Sequence, residues 1–221
     1  MTMLRPLAVV FDMDGTIYDT ETLSAKGWRE AAEHFGLKDF EPTIRDCVGL
    51  NRSAIEALLK ERFGPSFPLE EFLSYTRTTL QRRVREHCPI KPGAIELLAW
   101  LKENGIAIAM ATSSHQNTAR ERLERSGLLD YFPVIVGGDM VAHSKPAPEP
   151  YLTACQMLGV LPEEAWGIED SPNGVRSVHA AGLVTVMVPD TIPPTPELEA
   201  LCWRVSPSLY DVEAILQELP V

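Results

Sequence analysis

Leu7-Ala8-Val9-Val10-Phe11, followed at once by Asp12-Met13-Asp14-Gly15-Thr16, is the stretch on which the reading of this chain turns. Five apolar residues predict a buried strand, and two carboxylates leave it where its carboxyl end should open. Positions i and i+2 of a strand face one side, so Asp12 and Asp14 are expected on the same face. Like charges there repel and resist desolvation unless a cation or a reacting group uses them. Gly15 lets the backbone turn away sharply. Such an ending suits chemistry better than stability.

Beyond residue 90 the chain alternates between strand and helix patterns. Helix 93–104 ends at Gly105, and the wholly apolar 106–112 predicts a strand buried on both faces. Helix 116–126, strand 133–136, helix 149–158 and strand 165–168 follow. Helix 172–181 opens with Ser171 as cap and Pro172 in its first turn, and strand 183–188 comes next. A short C-terminal strand and a helix near 209–218 close the chain. The repeated pattern predicts an α/β fold with a doubly wound, mostly parallel sheet. Residues 21–88 differ, with three stripes of helical period, around Trp28, Leu59 and Phe72, and no convincing strand. They predict a small helical cap over 20–89, inserted into a core of 1–19 and 90–221. Pro42, Pro65 and Pro68 punctuate it, and Pro89 and Pro92 mark the return.

The 221 residues carry 20 basic and 31 acidic side chains, a net charge of −11 that disfavours nucleic acid and anionic membranes as partners. Cys47, Cys88, Cys155 and Cys202 lie far apart, which reads as reduced thiols rather than a disulfide framework or a zinc site. About five apolar residues precede Asp12, fewer than the roughly 7–15 of a signal peptide's apolar region, and no run approaches the roughly 18 of a membrane helix. The expectation is a cytoplasmic protein, a monomer by default with the oligomeric state left open.

In an open parallel sheet, ligands bind at the carboxyl ends of the strands. The polar residues of this chain fall there: Asp12 and Asp14; Thr112, Ser113 and Ser114; Lys145; Glu169 and Asp170. Together they make a phosphoryl-transfer site. Asp12 can attack phosphorus, and Asp14 can move the protons. Asp12, Asp170 and a backbone carbonyl near Asp14 offer hard oxygen ligands suited to Mg²⁺, with Glu169 behind them holding a metal water or a ligand. Gly15, Thr16, Thr112, Ser113, Ser114 and Lys145 are the candidate phosphate-binding residues. Lys145 also offsets the charge on Asp12.

At this point the chain resembles the haloacid dehalogenase (HAD) superfamily of phosphohydrolases, and within it the β-phosphoglucomutase-like group with a helical cap. The resemblance rests on FDMDGT, MATSS, SKPAPEP and GIEDSPNGV, in that order, and covers nearly the whole chain. It implies Asp12 as nucleophile, Asp14 as acid and base, Mg²⁺ as cofactor, and a cap that closes over a small phosphorylated metabolite. Gly49-Leu50-Asn51-Arg52 matches a cap loop whose Arg52 faces substrate, and Trp28 aligns with an aromatic of the cap–core cleft. Their rival readings are a surface charge at a helix start for Arg52 and a helix core position for Trp28. Ser24 stands where the mutases carry a His, which favours a phosphatase over a sugar phosphomutase. A third reading is a receiver-like binding module, but such modules phosphorylate an Asp on a central strand and lack an inserted cap.

Overall fold

Six strands form one parallel sheet in the computed structural model, which describes residues 4–48, 50 and 52–220. They are β1 (Ala8–Phe11), β2 (Ala107–Ala111), β3 (Val134–Val136), β4 (Ala165–Glu169), β5 (Val184–Met187) and β6 (Arg204–Val205), in the order β3-β2-β1-β4-β5-β6. β1 lies between β2 and β4, with Phe11 in register with Met110 and Ile168. The chain builds outward from β1 first on one side and then on the other, so the switch point falls beside β1, where a sheet of this kind opens a crevice.

The described chain divides into two compact units, one made by the chain up to Tyr18 together with the chain from Ile90 onward, the other by Asp19–Pro89. The helical unit holds α1 (Thr20–His34), α2 (Glu41–Cys47), α3 (Arg52–Phe63) and α4 (Leu69–Glu86). Its core is aromatic: Trp28, Phe35, Phe40 and Phe67 all pack on Phe72, with ring centroids 5.3–5.6 Å away. α1 and α4 pack against one another at Gly27, where an added Cβ would stand in ordinary contact, 3.6 Å from the Thr76 carbonyl oxygen. The basic run at Arg82 and Arg83 finds its acidic partner in Glu30, on α1.

In the α/β unit the sheet is covered on both faces by α5 (Ala94–Glu103), α6 (Gln116–Arg125), α7 (Glu149–Leu158), α8 (Pro172–Ala180), α9 (Pro196–Glu199) and α10 (Leu209–Glu218). Tyr151, Ala154 and Cys155 of α7 and Val178 of α8 pack on Ala8, Val10, Ala109 and Ala165 of the strands. On the opposite face α5 packs against β2 and α10, burying Leu97, Leu101, Val212 and Leu216.

Three expectations change. The first strand ends at Phe11, so Asp12 and Asp14 follow the strand rather than belong to it, with a bend at Met13 between them and the turn at residues 15–17 after them. Glu169 is the last residue of β4 rather than the first of a loop. And α2 is an additional helix in which Pro42, read as punctuation, occupies the first turn, where a missing N–H is harmless.

Gly167 of β4 is required by packing: a Cβ there would come within 2.4 Å of Val178 Cγ1. Gly167→Ala should therefore cost about 1–3 kcal/mol in urea unfolding. The cost should shrink markedly in a Val178→Ala background, and an equal cost in both backgrounds would contradict this contact.

Candidate active site

The turn after β1 is built by three hydrogen bonds. Asp12 N–H extends the ladder to the Ile168 carbonyl at 3.0 Å, and the Ile17 and Tyr18 N–H groups both donate to the Met13 carbonyl at 3.0 Å. Met13 is fully buried and anchors the turn. Gly15 has φ +85°, and a Cβ on it would come within 2.2 Å of Asp170 Oδ2. Glycine is thus needed twice there, for the backbone conformation and for the close approach of Asp170. Its N–H donates to the Tyr18 carbonyl at 2.8 Å, so its part in the site is the turn itself.

Lys145 Nζ has three donors and three acceptors. It reaches Asp12 Oδ1 at 2.6 Å, the Ala111 carbonyl at 2.8 Å and Glu169 Oε1 at 2.6 Å, one partner from each of the adjacent strand ends of β1, β2 and β4. The lysine and Glu169 side chains are almost wholly buried. Glu169 is saturated: Oε1 also accepts from the Tyr151 hydroxyl at 2.9 Å, and Oε2 accepts from Asp170 N–H, Ser171 N–H and Ser171 Oγ. Gly174, in the first turn of α8, leaves the room this carboxylate occupies, since a Cβ there would overlap it.

The remaining candidates are placed as follows. Thr16 Oγ1 donates to Asp170 Oδ1 at 3.3 Å. Thr112 is buried; its N–H donates to the Val136 carbonyl and its Oγ1 accepts from Ser114 N–H at 3.1 Å. Ser113 is exposed, and Ser114 Oγ donates to Asp14 Oδ2 at 3.3 Å. Asp14 lies outside the carboxylate cluster, its Oδ1 held by Arg122 Nη1. In the helical unit, Arg52 and Trp28 line a cavity of about 280 Å³ with Ser24, Ile55, Thr76 and Arg77. Arg52 is exposed and shared between Glu56 at 2.7 Å and Glu70 at 3.1 Å, while Trp28 also packs into the aromatic core. Gly49 and Asn51 of the cap-loop match lie outside the described residues.

Two residues not singled out from the sequence complete the arrangement. Tyr151 braces Glu169 from beneath the sheet, and Arg122 pairs with Asp14. The signal for Arg122 was its spacing from Ala119, three residues earlier: it falls on the apolar stripe of α6, where a charged residue needs a reason.

The charges do not balance without a further cation. Among the described residues, the carboxylates of Asp12, Asp14, Glu169 and Asp170 form ion pairs with Lys145 and Arg122 alone. Burial pushes Asp170 up to about 9, with the Asp12 and Glu169 charges adding to it. Burial likewise pushes Asp12 up to about 7, although the Lys145 charge pulls it down. For Lys145, burial disfavours the ammonium, but the charges of Asp12 and Glu169 outweigh that and hold it protonated above the ordinary lysine range. One oxygen from each of Asp12, Glu169 and Asp170 lies within 4.8 Å of the others. Hard oxygen donors with uncompensated negative charge fit a hard divalent cation. With Glu169 saturated, Asp12 and Asp170 are the side chains that can hold it.

The family model for haloacid dehalogenase-like hydrolases matches residues 9–188. A phosphorylated carbohydrates phosphatase of Thermotoga maritima is 38% identical over 176 residues, 80% of this chain and 82% of that enzyme. A fructose-1-phosphate phosphatase of Escherichia coli is 33% identical over 83% of this chain and 97% of its own. Among solved structures, a HAD family hydrolase from Deinococcus radiodurans with bound phosphate and sodium superposes with a TM-score of 0.83, at 26% identity, over 98% of this chain and 97% of that one.

In chelator, folded protein keeps protons on Asp12 and Asp170 that the unfolded chain releases near the ordinary 3.8. These two groups therefore favour folding at low pH, and that contribution is lost as pH rises through about 7 and then about 9. Thermal unfolding should show wild type losing stability relative to Asp170→Asn between about pH 5 and pH 9, with a divalent cation narrowing the difference. A difference independent of pH would contradict the charge excess.

Proposed function

The chain belongs to the haloacid dehalogenase-like hydrolase family, and from that premise we propose that it is a Mg²⁺-dependent phosphatase acting on a small phosphate monoester, a sugar phosphate or a phosphorylated acid, through a phosphorylated Asp12. The observation that carries this reading is the Lys145 ammonium shared between Asp12 and Glu169 at 2.6 Å each, beside Asp170. It offers a nucleophile, a positive charge for the phosphoryl oxygens and a pair of carboxylates for a cation within one crevice.

An Asp12 carboxylate oxygen forms a bond to phosphorus as the bond from phosphorus to the ester oxygen breaks. Asp14 gives that oxygen its proton, so the substrate leaves as an alcohol. Water then attacks phosphorus and gives its proton to Asp14, which frees inorganic phosphate and restores the Asp12 carboxylate and the protonated Asp14. Lys145 meets the charge on the transferring group, and Thr112, Ser113, Ser114 and Thr16 are the polar neighbours we assign to its oxygens. Asp12 and Asp170, with the Asp14 carbonyl, would hold Mg²⁺. When bound, that ion supplies positive charge that favours the ionised Asp12 and the developing phosphoryl charge.

The phosphatase relatives and Ser24 both favour water over a sugar hydroxyl as the final acceptor. Arg52 and Trp28, on the cavity of the helical unit, are the residues we assign to substrate selection. All four cysteines are free thiols, as suits a reducing compartment, and among the described residues no helix is long and apolar enough to cross a membrane. The cytoplasm is the location we propose.

A panel of phosphorylated sugars and acids, followed by phosphate release, tests the reading. Release should need Mg²⁺ and stop in chelator, and Asp12→Asn should lower it at least roughly a thousandfold with the fold intact. Activity in that variant within about tenfold of wild type would overturn the mechanism.

A further inference from the structure

Arg122 is a buried guanidinium on the sheet-facing side of α6, its side chain 8% exposed. Its Nε is buried without a hydrogen-bond partner. Its charged partner among the described residues is Asp14, whose Oδ1 accepts from Nη1 at 2.5 Å. Burying a guanidinium carries a desolvation cost that one ion pair seldom recovers. The arginine is nevertheless well seated. Its guanidinium lies over the Tyr18 ring, 5.5 Å from the centroid, and the Tyr18 hydroxyl is 2.5 Å from Ser126 Oγ, at the end of α6. The first N–H of α6, on Gln116, donates to Asp139 Oδ1 at 2.7 Å, which fixes the helix at its start.

Asp14, by contrast, follows the end of a strand and is 39% exposed at its side chain. Nothing in the turn itself orients its carboxylate; Arg122 and Ser114 Oγ do, one on each oxygen. A group that delivers a proton must be held within hydrogen-bond reach of the atom that receives it. We propose that Arg122 is a positioning residue for proton transfer: it holds the Asp14 carboxylate in the orientation from which Asp14 protonates the leaving oxygen and later takes the proton of the attacking water. Arg122 does not touch the transferring phosphoryl group. Its effect passes through Asp14 alone, which separates it from Lys145, whose partner is the nucleophile.

The role has a kinetic signature. An alkoxide leaving group needs Asp14's proton, whereas p-nitrophenolate leaves without one; both substrates need Asp14 for the second step. In Arg122→Met, the first-turnover burst of p-nitrophenol should stay within about threefold of wild type while steady-state turnover falls, and kcat for the best alkyl phosphate of the panel should drop about a hundredfold with KM little changed. Arg122→Lys, which keeps the charge but not the planar fork, should recover part of that loss and carries the comparison if the Met variant does not fold. In an Asp14→Asn background, Arg122→Met should change turnover by no more than about twofold.

Equal losses of burst and turnover on both substrates, a full further loss in the Asp14→Asn background, or a gain in turnover would overturn the proposal. The inference rests on the phosphatase reading, and the two fail differently. An inactive wild type or an active Asp12→Asn removes that reading, whereas the outcomes above count against Arg122 with those controls intact.

Discussion

One ammonium group organises this molecule's chemistry. Lys145 Nζ uses its three protons on Asp12, the Ala111 carbonyl and Glu169, and so ties together the carboxyl ends of the three strands beside the switch point. The arrangement is charge-limited. Asp12 and Glu169 are both almost dry, and each depends on the same cation. Removing the lysine would leave two uncompensated buried carboxylates, a loss of about 3–5 kcal/mol for a broken buried pair. The pair is better understood as a fixed electrostatic setting than as a source of stability. Burial raises both Asp12 and Asp170, and the Lys145 charge pulls Asp12 back toward its ionised form.

The fold supplies that setting from separated pieces of chain. A parallel sheet puts successive strand ends on one edge, and the glycines mark where two pieces come closest. Gly15 gives Asp170 its place, and Gly174 gives Glu169 its own. Gly138 does the same for the loops after β2 and β3: a Cβ there would meet the Ser113 carbonyl at 2.5 Å, and its N–H donates to the Ser114 carbonyl at 2.9 Å. The serines after β2 are thus fixed from outside their own loop. In the same way, α6 is anchored by Asp139 and presents Arg122 to Asp14. The polar groups at these strand ends are held by residues far away in sequence, which makes their partners hard to anticipate.

Much of this was legible from residue order. The alternation after residue 90 announces the parallel sheet, because buried strands are uniformly apolar and helices end at glycine. Asp12, Lys145 and Asp170 were legible because charged residues following an apolar strand are rare without a use. What escaped were the features that depend on tertiary contact. Arg122 falls on the apolar stripe of α6, but its partner shows only when Asp14 is brought against it. Tyr151 reads as a packing residue until its hydroxyl meets Glu169. Glu169 is expected in a loop, holding a metal water or a ligand in place; β4 instead extends through it, and its oxygens accept from Lys145, Tyr151, Ser171 and the Asp170 N–H. Strand period is not what places Asp12 and Asp14, because the strand ends at Phe11, just before them. Periodicity governs only residues inside an element, and these two lie beyond its end.

In the function we propose, Asp12, set by Lys145, carries the phosphoryl group between substrate and water. The most direct measurement is acid quenching of the Asp14→Asn protein during turnover of p-nitrophenyl phosphate, followed by peptide mapping by mass spectrometry. Loss of the Asp14 base slows hydrolysis of the intermediate, so one phosphoryl group should be found on the peptide that carries Asp12, and on the Asp12 side chain itself. A phosphoryl group mapped to any other residue, or turnover with no phosphorylated protein at any quench time, would contradict it.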